Sequence, residues 1–269
     1  MQNLRQIIKE LLAHKMRLLL TIFAIAWGTA SISGMLAIGE GLRQTFVKSM
    51  TNSGPGLLII NGNESSRAYQ GTPPGTWIKL SEQDLHDIKT TLPQIKTIAP
   101  VDNFSAKVSF LKNSSNFNAP NAVTTSYAKL KSIAVAYPGR FINNLDVTNK
   151  KRVVVLGDKI ASELFKHGTN PLQNYINIGG WKFKVIGVSK KKIEFTMGSM
   201  PASYQLWIPI STYQALTNQS YYDSFLVLAH NPSNNPTLLK EITNIIAKNH
   251  GVSATDPQII SNYDLYTMQ

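Results

Sequence analysis

Between Arg17 and Glu40 the chain carries no charged residue: Leu18 to Gly39, LLLTIFAIAWGTASISGMLAIG, is 22 residues long. A helix needs about 20 apolar residues to cross a bilayer's hydrocarbon core, and a single span satisfies its backbone hydrogen bonds there only as a helix. The stretch predicts a transmembrane helix over 18–39. A cleaved signal peptide would have an apolar region of about 7–15 residues and a small-x-small cleavage site. The longer run, preceded by Met1 to Arg17, fits an uncleaved anchor better. Arg5, Lys9, Lys15 and Arg17 lie before it with only Glu10 against them. The positive-inside rule then places the N-terminus in the cytoplasm and everything after Glu40 outside. Small residues inside the span, among them Gly28, Ser31 and Gly34, let a second membrane helix approach closely. Glycine is costly in a helix without such a reason, although simple tolerance also accounts for it.

The flanks carry helical periodicity too. Leu4, Ile7, Ile8, Leu11 and Leu12 form one stripe, which predicts a cytoplasmic interfacial helix over 1–17. Leu42, Phe46 and Met50 repeat every four residues, predicting a stalk helix over 40–56 that Gly54-Pro55-Gly56 stops. Residues 57–260 then read as one extracytoplasmic core domain of mixed α and β elements. Leu57 to Asn61 reads as a buried strand and residues 62–79 as a mobile loop. Ser81 caps a helix bearing Glu82 and Asp84 in its first turn, and capping explains that acidic cluster more cheaply than a metal or acid/base site does. Strands follow at Ile95–Val101, Phe104–Leu111 and Ala122–Ser126, with Asn113–Asn118 as a turn. Lys151 to Lys166 reads as strand, Gly157 turn and helix. Tyr175–Ile178 and Trp181–Val188 flank Gly179-Gly180, a strong hairpin signal. After a strand at Leu206–Ile210, Ser211 is expected to cap a short helix. Phe225–Ala229 reads as a strand, and Thr237 is expected to cap a helix with Leu238, Leu239, Ile242, Ile245 and Ile246 on its core face.

The chemistry-bearing residues point away from an enzyme. There is no cysteine, so no disulfide framework or thiolate is available. His14, His86, His167, His230 and His250 show no metal spacing. No G-x-S-x-G elbow, G-x-G-x-x-G or G-x-x-x-x-G-K-[ST] occurs, so neither a catalytic residue nor a cofactor or metal is expected. The net charge of +12 suits an anionic membrane surface or an acidic partner, and a solvated basic surface accounts for it equally well. The orientation speaks against nucleic acid. Lys190-Lys191-Lys192 is the only run of three lysines. It ends the Trp181 strand and opens a connection, Ile193 to Tyr204, that carries Phe195, Met197 and Met200. Loops rarely bury their backbone, and exposed apolar side chains, methionine especially, mark interaction sites. These six residues, Lys190, Lys191, Lys192, Phe195, Met197 and Met200, are the candidate contact with a partner or substrate; a locally packed flap is the alternative.

Three segments resemble a known family: RLLLTIFAIAWGTASISGMLAIGEGLR at Arg17–Arg43; YPGRFINNLDVTNKKRVVVLGDKIASELF at Tyr137–Phe165, with G-R-F, V-x-V-L-G and L-F elements; and NPLQNYINIGGWKFKVIGV at Asn170–Val188, followed by W-I-P at Trp207–Pro209. In this order they resemble the N-terminal half of a MacB-type (FtsX-like) ABC transporter permease. The resemblance implies an α+β fold: one N-terminal transmembrane helix, then a mixed α/β extracytoplasmic domain with a porter-like part and an inserted, mostly β part. It further implies a bacterial inner-membrane permease subunit for substrate export or extraction, driven by a separate cytoplasmic ABC ATPase subunit. The implied partners are a second permease subunit, a periplasmic adaptor protein and membrane lipid. The family has three more spans after the core domain. Residues 261–269 are therefore expected to start a second stalk, and the chain to be a truncated permease, a split subunit or a deliberate fragment. The alternative is a single-span anchored extracytoplasmic binding domain with no ABC partner.

Overall fold

The computed structural model describes residues 15–51, 56–117, 119–166, 168–191 and 200–264. The chain divides into two units near Lys48. The first is dominated by helix α1, Lys15–Thr51. At about 1.5 Å per residue it is longer than a bilayer core is thick, and it runs on past Glu40 to Thr51. Residues 15–44 are long and apolar enough to cross a membrane, with mean hydropathy 1.7 and no residue of that window buried. Leu19, Phe23, Ile25, Trp27, Met35 and Leu36 are each more than half exposed, an arrangement that suits lipid and not water. Three of its hydroxyls are closed internally: Thr21 donates to Arg17 O at 2.9 Å, Thr29 to Ile25 O at 2.9 Å and Ser31 to Trp27 O at 2.8 Å. This back-bonding removes the cost of a free hydroxyl in an apolar medium. The expected interfacial helix lies, except for its last residues, outside the described residues.

The second unit is built on an antiparallel arrangement. Strand β1 is Leu57–Gly62. A short β2 (Leu80–Ser81) leads into α2 (Glu82–Thr91), and β3 (Ile95–Asn103) follows. After a long insertion come β12 (Ser224–Ala229), α7 (Asn235–His250) and β13 (Ile260–Asp264). The sheet order β13-β1-β12-β3, every pair antiparallel, with α2 and α7 in the crossovers, is a split βαβ of ferredoxin-like type. The insertion supplies β4 (Val108–Phe110), β5 (Asn113–Ser114), β6 (Pro120–Val123), α3 (Tyr127–Leu130), α4 (Asn144–Thr148), β7 (Val153–Leu156), α5 (Asp158–Leu164), β8 (Tyr175–Ile178), β9 (Trp181–Val188), β10 (Leu206–Pro209), α6 (Ile210–Thr217) and β11 (Tyr221–Tyr222). All its strands but β11, which pairs with β2, extend the same sheet from β3 in the order β6-β10-β7-β9-β8-β4-β5. The porter-like part with an inserted, strand-rich part is therefore the observed fold, though the two parts share one sheet.

Strand alternation sorts side chains onto two faces. Leu58, Ile60, Val154, Leu156, Leu206, Ile208, Phe225 and Val227 join a large core with Leu85 and Ile88 of α2 and Leu238, Ile242 and Ile246 of α7. Leu57, Ala99, Val101, Val155, Trp207 and Leu226 form a smaller core on the other face, closed by Tyr127 and Leu130 of α3 and by Ile142. The Ser81 cap is a full capping box with Asp84. Asp84 is also gripped from α7, by His250 Nε2 at 2.8 Å and by Asn249 Nδ2 at 2.9 Å. Burial pushes its carboxyl up, but these hydrogen bonds outweigh burial and hold it below the usual carboxylate range. The acidic cluster thus locks two helices together.

Several local expectations are corrected. Residues 63–79 are no open loop: Glu64 bridges Trp77, Ser65 N donates to Thr76 O at 2.9 Å, and Ser66 Oγ donates to Asp256 Oδ1 at 2.6 Å. The Asn113–Asn118 turn begins instead with strand β5, and its reverse turn falls at Leu111-Lys112. Ser211 does not cap α6; that helix starts at Ile210 after Pro209, and the Ser211 hydroxyl donates to Val147 O. Helix α7 begins at Asn235, two residues before Thr237, because Pro232–Asn234 already form a 3-10 turn. Residues 261–264 are not a stalk helix but lie in β13, paired along β1 from Leu58↔Asp264 to Gly62↔Ile260.

Candidate functional site

The six candidate contact residues sit on a connection whose two ends are both fixed to the sheet. At the start, buried Ser189 bridges Val135 and donates its N–H to Leu156 O at 2.8 Å, while its Oγ accepts from Asp158 N at 3.1 Å. Lys190 N then donates to Ala134 O at 2.8 Å. At the return, Gln205 Nε2 donates to Met200 O, Ala202–Tyr204 form a 3-10 turn, and the Tyr204 ring lies 4.2 Å from that of Phe117. Gly157 N donates to Gln205 O at 2.8 Å. Gly157 has an ordinary φ of −64°, so its need is space and not turn geometry. A Cβ there would stand 2.3 Å from Ser203 O and 2.5 Å from Ala202 O.

Between the anchored ends lies a cleft of about 180 Å³ lined by Ser132, Ile133, Ala134, Ser189, Lys190, Lys191, Ala202 and Ser203. Lys190 and Lys191 are exposed there, and Met200 stands 37% exposed beside the return. Lys192, Phe195 and Met197 lie outside the described residues. The described lining residues offer hydroxyls and ammonium groups, a set that suits recognition of polar or anionic groups. The neighbouring wall is held by the G-R-F element. Arg140 N donates to Ile186 O at 3.0 Å, and its guanidinium is bidentate to buried Asp146. Burial works against the Asp146 charge, but Arg140 and the Asn143 N–H hold its carboxyl low.

A second concavity, of about 330 Å³, was not visible in the sequence. It is lined by Asn61, Asn63, Trp77, Lys79, Tyr221 and Asp223 among others, and Lys79 Nζ lies 4.5 Å over the Tyr221 ring. Beside Asp223 lies Asp102, wholly buried in β3. Its Oδ1 accepts from Asp223 N at 3.1 Å, and its Oδ2 has no hydrogen-bond partner among the described residues. Burial, with the Asp223 carboxyl next to it, pushes Asp102 up to about 7. Among the described residues no three His, Asp or Glu gather to hold a metal. On α1, a Cβ added at Gly28 or Gly34 would meet nothing within 4 Å.

A family model described as a MacB-like periplasmic core domain matches residues 18–245. The chain belongs to that family. The match runs from the apolar helix through most of the folded unit. Among curated relatives, a macrolide export ATP-binding/permease protein MacB of Bdellovibrio bacteriovorus is 26% identical over 252 residues, covering 93% of this chain and 38% of that protein. A pyoverdine export ATP-binding/permease protein PvdT of Pseudomonas savastanoi pv. phaseolicola is 27% identical over 238 residues, covering 88% and 35%. This chain thus spans less than two-fifths of the length of these relatives. In fold, the periplasmic region of MacB from Actinobacillus actinomycetemcomitans aligns with a TM-score of 0.64 at 18% identity, over 83% of this chain and 95% of that one. The extracellular domain of the noncanonic ABC-type transporter YknZ aligns at 0.63 and 18%, over 77% and 99%.

Proposed function

We propose that this MacB-like chain is the first span and the extracytoplasmic core of an ABC-type export permease, with its N-terminus in the cytoplasm. The carrying observation is that one family match joins the apolar helix to the split-βαβ unit. ATP hydrolysis comes from a cytoplasmic nucleotide-binding component, as the relatives' names, ATP-binding/permease proteins, suggest. The relatives' names, macrolide and pyoverdine export, favour outward transport of small molecules. In this reading Gly28, Ser31 and Gly34 pack against a second permease helix. Lys190, Lys191, Lys192, Phe195, Met197 and Met200 meet an adaptor, the second subunit or lipid headgroups.

The protein pulled by a tag from its own crosslinked membranes is expected to bring with it a polypeptide carrying G-x-x-x-x-G-K-[ST], and the assembly is expected to hydrolyse ATP. Substituting that motif's lysine should abolish the hydrolysis. Recovery with no nucleotide-binding partner overturns the proposal in favour of a lone anchored domain. Orientation has its own check. A phosphatase that is active only outside the cytoplasm, fused after Met50, should give full signal, and signal from a cytoplasm-only reporter at that site would reverse the reading.

A further inference from the structure

The charge of this chain is concentrated in one place. Residues 104–222 hold 15 Lys and Arg against 4 Asp and Glu, a net +11 of the chain's +12. Of those four acids, Asp146 is buried against Arg140 and Lys151. Glu163 accepts from Ser115 Oγ at 2.8 Å and Asn116 N at 3.2 Å. Asp158 lies in the first turn of α5, and Glu194 is outside the described residues. The basic surface is therefore not neutralised by these three carboxylates.

Strand register shows where part of it gathers. In β8 and β9, Ile176, Ile178, Phe183 and Val185 point into the large core. Tyr175, Asn177, Lys182 and Lys184 point the other way, with Tyr175 opposite Lys184 and Asn177 opposite Lys182. Strand β4 adds Ser109 beside Asn177, and Lys107 falls in the same alternation. Tyr175 is 58% exposed, and Lys107, Asn177 and Lys182 are exposed. Leu111, 88% exposed at the β4–β5 turn, sits at the end of the row. No salt bridge among the described residues uses Lys107, Lys182 or Lys184.

We propose that this open face of the β4–β8–β9 sheet, Lys107, Asn177, Tyr175, Lys182 and Lys184, is a docking surface for an acidic folded protein. It is distinct from the Lys190 cleft. Charge complementarity selects an acidic partner and speeds encounter. A pleated sheet holds its donors about 4.8 Å apart across strands, a fixed register that a rigid partner can match and a fluid lipid surface does not need. Tyrosine amid hydrogen-bonding side chains gives a contact of low entropy cost, whereas one exposed leucine is too little to seat a face in the acyl boundary.

The test uses the full chain in neutral phosphatidylcholine nanodiscs, with fluorescein-labelled poly-L-glutamate as probe read by anisotropy. Lys107→Glu with Lys182→Glu and Lys184→Glu should weaken binding at least about tenfold. A charge-matched control, Lys129→Glu with Lys131→Glu and Lys166→Glu, should weaken it less than about threefold. Tyr175→Ser, which leaves charge unchanged, should weaken it about threefold or more. Where the reversed triple fails to fold, the Gln triple at the same positions carries the comparison. Equal loss in the two triples would mean that only net charge matters, and would overturn the proposal. So would phosphatidylglycerol vesicles that displace the probe better than unlabelled poly-L-glutamate does at equal anionic charge, which would assign the face to lipid.

Discussion

Gly157→Ala is expected to lower the stability of the folded unit by about 3 kcal/mol, a fall in Tm of about 6–12 °C for a unit of this size. The backbone at Gly157 would accept any residue, so the whole cost is steric. The new methyl group would meet two carbonyl oxygens, at 2.3 and 2.5 Å, both on the return of the 190–204 connection. Backbone on both sides leaves no flexible side chain to give way. Relief comes only by pushing Ala202 and Ser203 outward, which lengthens the Gly157 N–H to Gln205 O bond and reshapes the cleft at its root. Thermal melts check the first effect, and amide exchange at Gly157 checks the second. A Tm within about 1 °C of the parent would show that the return does not seat against α5.

Asp102→Asn is expected to stabilise the protein, and only above about pH 4. The folded-state carboxyl stands at about 7, against about 3.9 in an unfolded chain. Between these values the folded state binds the proton more tightly than the unfolded state does, so stability falls as pH rises from about 4 and levels off above about 7. At pH 8 the native protein holds a charged carboxylate with an oxygen that has no partner among the described residues, a burial cost of about 2 kcal/mol after allowing for residual solvent. The amide carries no charge and still accepts from Asp223 N. The Asn variant should therefore melt about 4–8 °C above the parent at pH 8 and within about 2 °C of it at about pH 3.5, below the unfolded-state value. A gain that is the same at both pH values would mean that Asp102 does not titrate between them.

Local signals carried much of this fold. Gly179-Gly180 marked the β8–β9 hairpin to the residue, and Ser81 with Asp84 marked the start of α2. The apolar repeat of α7 matched its buried face. Features made by distant partners were not legible. The lacing of residues 63–67 depends on Asp256, about 190 positions away, and β13 is defined by its ladder with β1. One wall of the cleft was readable, because Lys190 and Lys191 follow a clear strand. The other, Ser132 to Ala134, reaches it through one backbone bond and one isolated bridge. Asp102 did leave a trace, a lone acid within the run APVDNF, but nothing local says that it is buried beside Asp223.

The ladder of β1 has a consequence for synthesis. Its five apolar-rich residues, Leu57 to Asn61, pair with β12 and β13, whose first residues, Ser224 and Ile260, come 167 and 203 positions later. At about 5–20 residues per second, the strand waits on the order of 10–30 s beyond the membrane before either neighbour exists. An apolar strand with both edges open for that long is the kind of segment that pairs with the wrong chain. The inserted residues 104–222 are complete before β12 is made, but their cores are shared with β1 and β12. Newly made molecules are therefore most vulnerable to misassembly at their first strand, and a holding chaperone for this protein would have its target there.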